Sequence, residues 1–128
     1  MNDTTLSFSF NGRIRSLRYA VVGIGEMLAT QHNAWIHAVA TAVVVCLGFM
    51  AGISPIQWCI LVLAIAAVWV AEALNTAFEL LCDVASPEFH PVVKKAKDVA
   101  AGAVLLSAIG SIVIGLIIFV PPIEAWLS

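Results

Sequence analysis

In the stretch Val70-Ala71-Glu72-Ala73-Leu74-Asn75-Thr76-Ala77-Phe78-Glu79-Leu80-Leu81-Cys82-Asp83, three carboxylates and one amide interrupt an otherwise apolar run. At about 100° per residue, Glu72, Asn75, Glu79 and Asp83 stay within roughly 80° of one another on a single helix face. An acidic side chain at the centre of a bilayer is disfavoured by about 2.5 kcal/mol or more on insertion scales, so a stripe of them marks function. Asp83 alone also reads as a charge at the wet end of a long helix. Glu72 lies about three turns deeper. Its type and place suit a general base, a metal ligand or a proton carrier.

A second concentration follows in Ser86-Pro87-Glu88-Phe89-His90-Pro91, then Lys94, Lys95, Lys97 and Asp98, which are expected to form a loop. Lysines beside carboxylates at a membrane surface suit a polyphosphate carrying a divalent cation. The same lysines also serve as a topology signal and need no ligand for that. No GxxxxGK[ST] phosphate loop is present, and no kinase glycine loop or HRD-type catalytic loop. His32 and His37 are five apart and His90 lies elsewhere, which argues against a zinc site. Cys46, Cys59 and Cys82 each sit alone in apolar sequence without a CxxC pair, and read as small hydrophobes.

The elements that must position these groups belong to a membrane protein. Of 128 residues, 62% are hydrophobic and only 11% charged, and the mean hydropathy is +1.03. A soluble domain is nearer half apolar and a quarter charged, so this excess must face lipid. Residues 1–10 lack a cationic start followed by an apolar core, and no cleavable signal peptide is expected. Three stretches reach the roughly 20 apolar residues that a bilayer requires: about 34–52, 56–83 and 99–120. Helices are the expected form, since lipid offers the backbone no partners. Pro121-Pro122 is expected to close the third. An all-α, three-span single domain over residues 1–128 is predicted.

Ahead of the first span, at about 11–31, Ile14, Leu17, Val21, Ile24 and Leu28 recur at helical spacing with Arg15, Arg18 and Glu26 opposite. That pattern predicts an amphipathic helix, lying in the membrane interface or packed on its own bundle. The third span carries small residues at every fourth position, Ala103, Ser107, Ser111 and Gly115, a helix-packing signal. All six basic residues fall at Arg13, Arg15 and Arg18 or at Lys94, Lys95 and Lys97. By the positive-inside rule both segments are cytoplasmic, and three spans then leave the C-terminus outside.

The pattern E-x-x-N-[ST]-A-x-E-x-x-x-D from Glu72 to Asp83, followed by Ser86-Pro-Glu-Phe-His90-Pro and Ala96-Lys97-Asp98, resembles the bacterial diacylglycerol kinase and undecaprenol kinase family. Tyr19-Ala20, Gly23, Asn33 and Ile36-His37 agree with it, and the likeness runs from about Asn11 to the end of the third span. The resemblance implies a multi-pass lipid kinase of the bacterial inner membrane: a homotrimer with an N-terminal surface helix and active sites shared between chains. Its substrates would be ATP, with magnesium, and a lipid alcohol; no nucleic acid partner is expected. By the same resemblance Glu72 corresponds to the general base and Glu79 to a magnesium ligand in the nucleotide site. Asn75 and Ala101 fall beside the lipid substrate. Tyr19, Glu88, Phe89, His90, Lys97 and Asp98 fall at nucleotide-binding positions.

Three positions depart from the enteric member. Gln31 stands where that enzyme has a second metal-binding glutamate, Ala101 replaces a serine near the lipid, and Arg13 only neighbours the position of its N-terminal arginine. The Ser-Pro-Glu-Phe-His-Pro loop looks more like the undecaprenol-type branch. Two alternatives to a kinase are an ion-coupled transport subunit using Glu72 and Glu79, and a non-catalytic membrane partner. The first would need polar residues through the depth of the bundle, and Val39 to Leu47 and Val104 to Val120 supply almost none.

Overall fold

A computed structural model of the chain describes residues 9–128. The segment read as lacking a signal-peptide pattern therefore lies, up to residue 8, outside the described residues. The described residues form α1 (Phe10–Thr30), α2 (His32–Ala51), α3 (Pro55–Ala85) and α4 (Pro91–Leu127), with no strand among them. The last three are long and apolar enough to cross a membrane.

Local chemistry explains each boundary. Ser9 caps α1, its hydroxyl accepting from Gly12 N–H at 3.2 Å. Gly52 ends α2 in the left-handed region at φ 60°, and Ile53 N–H reaches back to the Gly48 carbonyl at 3.2 Å. Ser54 and Gln57 then form a reciprocal capping box around Pro55, which needs no backbone donor in the first turn. His90 caps α4 with Nδ1, which accepts from Val92 N–H at 3.2 Å.

α3 and α4 pack along each other, and Ser111 of the small-residue ladder donates its hydroxyl to the Ala64 carbonyl at 3.1 Å. α2 and α1 meet this pair more thinly. Leu61, Ile118 and Phe119 form a buried cluster flanked by Leu47, Trp58 and Ile114, at the end of the molecule where α2 turns into α3. Elsewhere large apolar side chains face outward, among them Leu63, Leu106 and Ile117. That pattern suits lipid as the surrounding solvent.

Two expectations are corrected. α4 starts at Pro91, so Lys94, Lys95, Lys97 and Asp98 stand on a helix and only Ser86–His90 is loop. Proline at the first helical position is a start signal, because its missing N–H would have no partner there. The helix also runs through Pro121 and Pro122 to Leu127. Proline's fixed φ is compatible with a helix, and the lost hydrogen bonds fall near the end of a 37-residue element. The stripe on α1 is largely uncovered: Ile14, Leu17, Val21 and Ile24 are exposed and Leu28 is half-buried, and Met27 is the one residue of the helix that is buried.

Candidate active site

The polar end of α3 carries the site. Glu72 is 1% exposed and is the largest fully buried side chain among the described residues. Its neighbours one turn on, Asn75 and Thr76, are buried as well. Thr76 disposes of its hydroxyl locally, donating to the Glu72 carbonyl at 2.9 Å. Asn75 Nδ2 donates to Glu79 Oε1 at 3.3 Å, joining two members of the stripe. Glu72 Oε1 and Asn75 Oδ1 are both buried without a hydrogen-bond partner. A buried polar oxygen left unpaired is disfavoured by about 1–3 kcal/mol, which marks a place meant for something else.

The stripe grades from dry to wet: Glu72 and Asn75 are buried, Glu79 is half-buried, and Asp83 is exposed. At its wet end Asp83 is met by Lys97 Nζ at 2.9 Å across the α3–α4 turn. Lys94 and Asp98 form a separate i,i+4 pair on α4 at 2.6 Å. Glu88, Phe89 and His90 stand exposed on the loop between these helices, Phe89 at 80%. Ser86 shapes that loop by donating its hydroxyl to the Glu88 carbonyl at 3.1 Å.

The structure thus brings together Glu72, Asn75 and Glu79 on one face and links Asp83 to Lys97. Tyr19 on α1 and Ala101 on α4 are exposed; neither enters a hydrogen bond or ion pair with that face among the described residues. Gln31 sits at the joint between α1 and α2, half-buried, and its side chain makes no capping bond.

No three His, Cys, Asp or Glu side chains converge as a metal cage among the described residues. Magnesium asks for less, taking one or two carboxylates together with substrate phosphates. The half-buried carboxylate of Glu79 beside the unpaired Asn75 Oδ1 fits an ion that comes in on a nucleotide.

One residue at the site was invisible to spacing. His37 on α2 places Nε2 3.4 Å from Glu72 Oε2. The sequence offered its distance from His32, which concerns a single helix, and its place in the Ile36-His37 pair of the family resemblance, which assigns it no partner; that partner lies on another helix. A lone imidazole about a turn inside an apolar span was the available signal.

Comparison with known proteins identifies the family. Residues 18–119 match the family model for prokaryotic diacylglycerol kinase. The chain is 41% identical over 111 residues to an undecaprenol kinase from Bacillus subtilis, covering 87% of this chain and 90% of the relative. It is 37% identical over 109 residues to a diacylglycerol kinase from Synechocystis, covering 84% of this chain and 62% of that one. A diacylglycerol kinase from Helicobacter pylori is 39% identical over 54 residues, 42% of either chain. The chain belongs to the prokaryotic diacylglycerol kinase family of lipid kinases.

Proposed function

We propose that the protein transfers the γ-phosphoryl group of ATP to the primary hydroxyl of a membrane lipid at the cytoplasmic face of a bacterial inner membrane. Undecaprenol is the acceptor favoured over diacylglycerol. The Ser86–His90 loop chemistry and the fuller match to an undecaprenol kinase support that order. The observation that carries the reading is Glu72 Oε1, a buried carboxylate oxygen with no partner on a face shared with Asn75 and Glu79. A carboxylate oxygen with no partner is free to accept the proton of a hydroxyl brought within hydrogen-bond reach.

In the proposed step the lipid O–H bond breaks and its proton passes to Glu72. The freed oxygen bonds the γ-phosphorus while the bond to the bridging oxygen breaks, and ADP leaves with that electron pair. Phosphoryl transfer asks the protein mainly for position and charge compensation. Lys97 supplies charge toward the phosphates, and Asn75 holds Glu79 in place. Glu79, with the carbonyls of Asn75 and Gln31, would hold magnesium, whose positive charge offsets that of the phosphates when bound. Asp98, Tyr19 and the Glu88–His90 loop complete the nucleotide site, and Ala101 flanks the lipid. Exposed Tyr19 and Phe89 suit a site finished by a neighbouring chain of a homotrimer. Basic residues on α1 and at the start of α4 support a cytoplasmic face for both and an outside C-terminus.

The test is transfer of labelled γ-phosphate from magnesium ATP to undecaprenol or diacylglycerol, offered separately to the purified protein in micelles. The expected product is labelled undecaprenyl phosphate, with Glu72→Gln lowering the rate about 10²- to 10⁴-fold, the range of general base catalysis. Folded protein giving no product on either lipid, or a Glu72→Gln variant with wild-type rate, would overturn the reading.

A further inference from the structure

Glu72 has two carboxylate oxygens in unlike surroundings. Oε2 faces His37 Nε2 at 3.4 Å, whereas Oε1 has no partner. The His37 side chain is 15% exposed and that of Glu72 2%, so their contact is largely shielded from bulk water. His37 is itself held from two sides. Its ring stands edge-on to Trp69, centroids 6.3 Å apart and planes at 69°. Its carbonyl accepts the Thr41 hydroxyl at 2.7 Å, and Thr41 Oγ1 in turn accepts Trp69 Nε1–H at 3.1 Å. Trp69 and Glu72 lie one turn apart on α3, and His37 and Thr41 one turn apart on α2. The four side chains form a polar clasp between helices that otherwise meet through apolar contacts.

We propose that His37 is a positioning residue for Glu72: its Nε2–H donates to Oε2 and so turns Oε1 toward the lipid hydroxyl. The assignment rests on the reading of Glu72 as the base. Nothing else in the described residues engages the Glu72 carboxylate. Without a donor on Oε2 a buried carboxylate is free to rotate about its last bond, and both oxygens lose a fixed aim. A separation of 3.4 Å is long for a hydrogen bond. Such contacts in unliganded sites tighten when the substrate complex forms.

The experiment compares His37→Leu, His37→Met and His37→Gln, with Glu72→Gln and the double variant Glu72→Gln/His37→Leu. Each is measured by steady-state transfer of phosphate to lipid in micelles, and each is checked for folding by thermal unfolding. The leucine and methionine variants keep an apolar filling and lose the donor. Each should lose kcat by about 10²-fold, the scale of a misplaced catalytic group, with both KM values within about twofold of wild type. Glutamine carries an N–H at a similar reach and should recover most of that loss. The double variant should be no slower than Glu72→Gln alone, since two residues acting through one group are not additive.

Wild-type kcat in a folded leucine or methionine variant would overturn the positioning role. So would equal loss in the glutamine variant, or a loss confined to KM. Should leucine and methionine both fail to fold, a glutamine variant that folds but turns over as slowly as Glu72→Gln would overturn it, and near-wild-type turnover would support it. Activity of Glu72→Gln separates the two layers. If that variant is inactive while His37→Leu is normal, only the role of His37 fails. If Glu72→Gln is fully active, the base assignment fails with it.

Discussion

Replacing Gly48 with alanine puts a methyl group where there is no room. A Cβ at that position would stand 2.6 Å from Trp58 Cη2 and 2.9 Å from Cζ2, with Ile53 Cδ1 at 3.3 Å. Carbon atoms rest at about 3.5–4.0 Å, so the ring must retreat by about 1 Å. Trp58 has little freedom to do so, because its ring lies tilted against Phe49 with centroids 4.8 Å apart and borders the Leu61–Phe119 cluster. Overpacking of this kind destabilises by about 1–3 kcal/mol. Alanine regains up to about 1 kcal/mol over glycine in a helix interior. Contacts at 2.6 and 2.9 Å to a ring put this site in the upper half of the overpacking range, so the expected net loss is about 1–2 kcal/mol, read from reversible unfolding in mixed micelles. Trp58→Leu removes the opposing ring, so Gly48→Ala in that background should be neutral or slightly stabilising. Catalysis should change little, because the clash lies at the opposite end of α3 from Glu72. A Gly48→Ala protein as stable as the wild type, or one whose loss persists without Trp58, would refute the close-approach argument.

Other changes probe the polar end. Asn75→Leu removes the amide that donates to Glu79; hydrogen bonds to charged groups are worth about 1.5–3 kcal/mol, so the KM for magnesium ATP should rise roughly 10- to 100-fold in initial-rate measurements. Lys97→Met should raise the KM for ATP with little effect on thermal unfolding, because an ion pair in open water contributes little to stability. Gln31→Glu adds a charge beside the proposed metal position and should lower the magnesium concentration that gives half-maximal activity. An unchanged magnesium dependence would count against a metal role for that position.

The acidic stripe was legible because helical periodicity alone places Glu72, Asn75, Glu79 and Asp83 on one face, and the three apolar runs declared themselves by length. What stayed hidden is interhelical. The partners of Glu72 and Asp83, His37 and Lys97, lie on other helices, and spacing along one helix says nothing of its neighbour. Pro121-Pro122 was read as a terminator, and Pro91 was placed in the loop before the last span. At Pro91 it opens α4 because a first-turn residue needs no donor, and at Pro121 and Pro122 the helix absorbs the missing bonds near its end. The exposed stripe of α1 was readable, but whether lipid or protein met it depended on tertiary packing that left Ile14, Leu17, Val21 and Ile24 uncovered.

The length of α3 has a consequence for the membrane in which the protein works. Its 31 residues extend roughly 46 Å at 1.5 Å each, against a hydrocarbon layer of about 30 Å. With the Ser54 cap held at one boundary, an upright α3 leaves about ten residues beyond the other, and Glu72 falls within a turn or so of that second boundary. The helix then acts as a depth gauge. A bilayer thicker by a few ångströms draws Glu72 further into hydrocarbon, and a thinner one carries it toward the headgroups. Helix tilt and bilayer deformation absorb part of such a mismatch. If Glu72 is the base, what remains should make turnover vary with acyl-chain length in the host lipid, separate from the identity of the acceptor lipid.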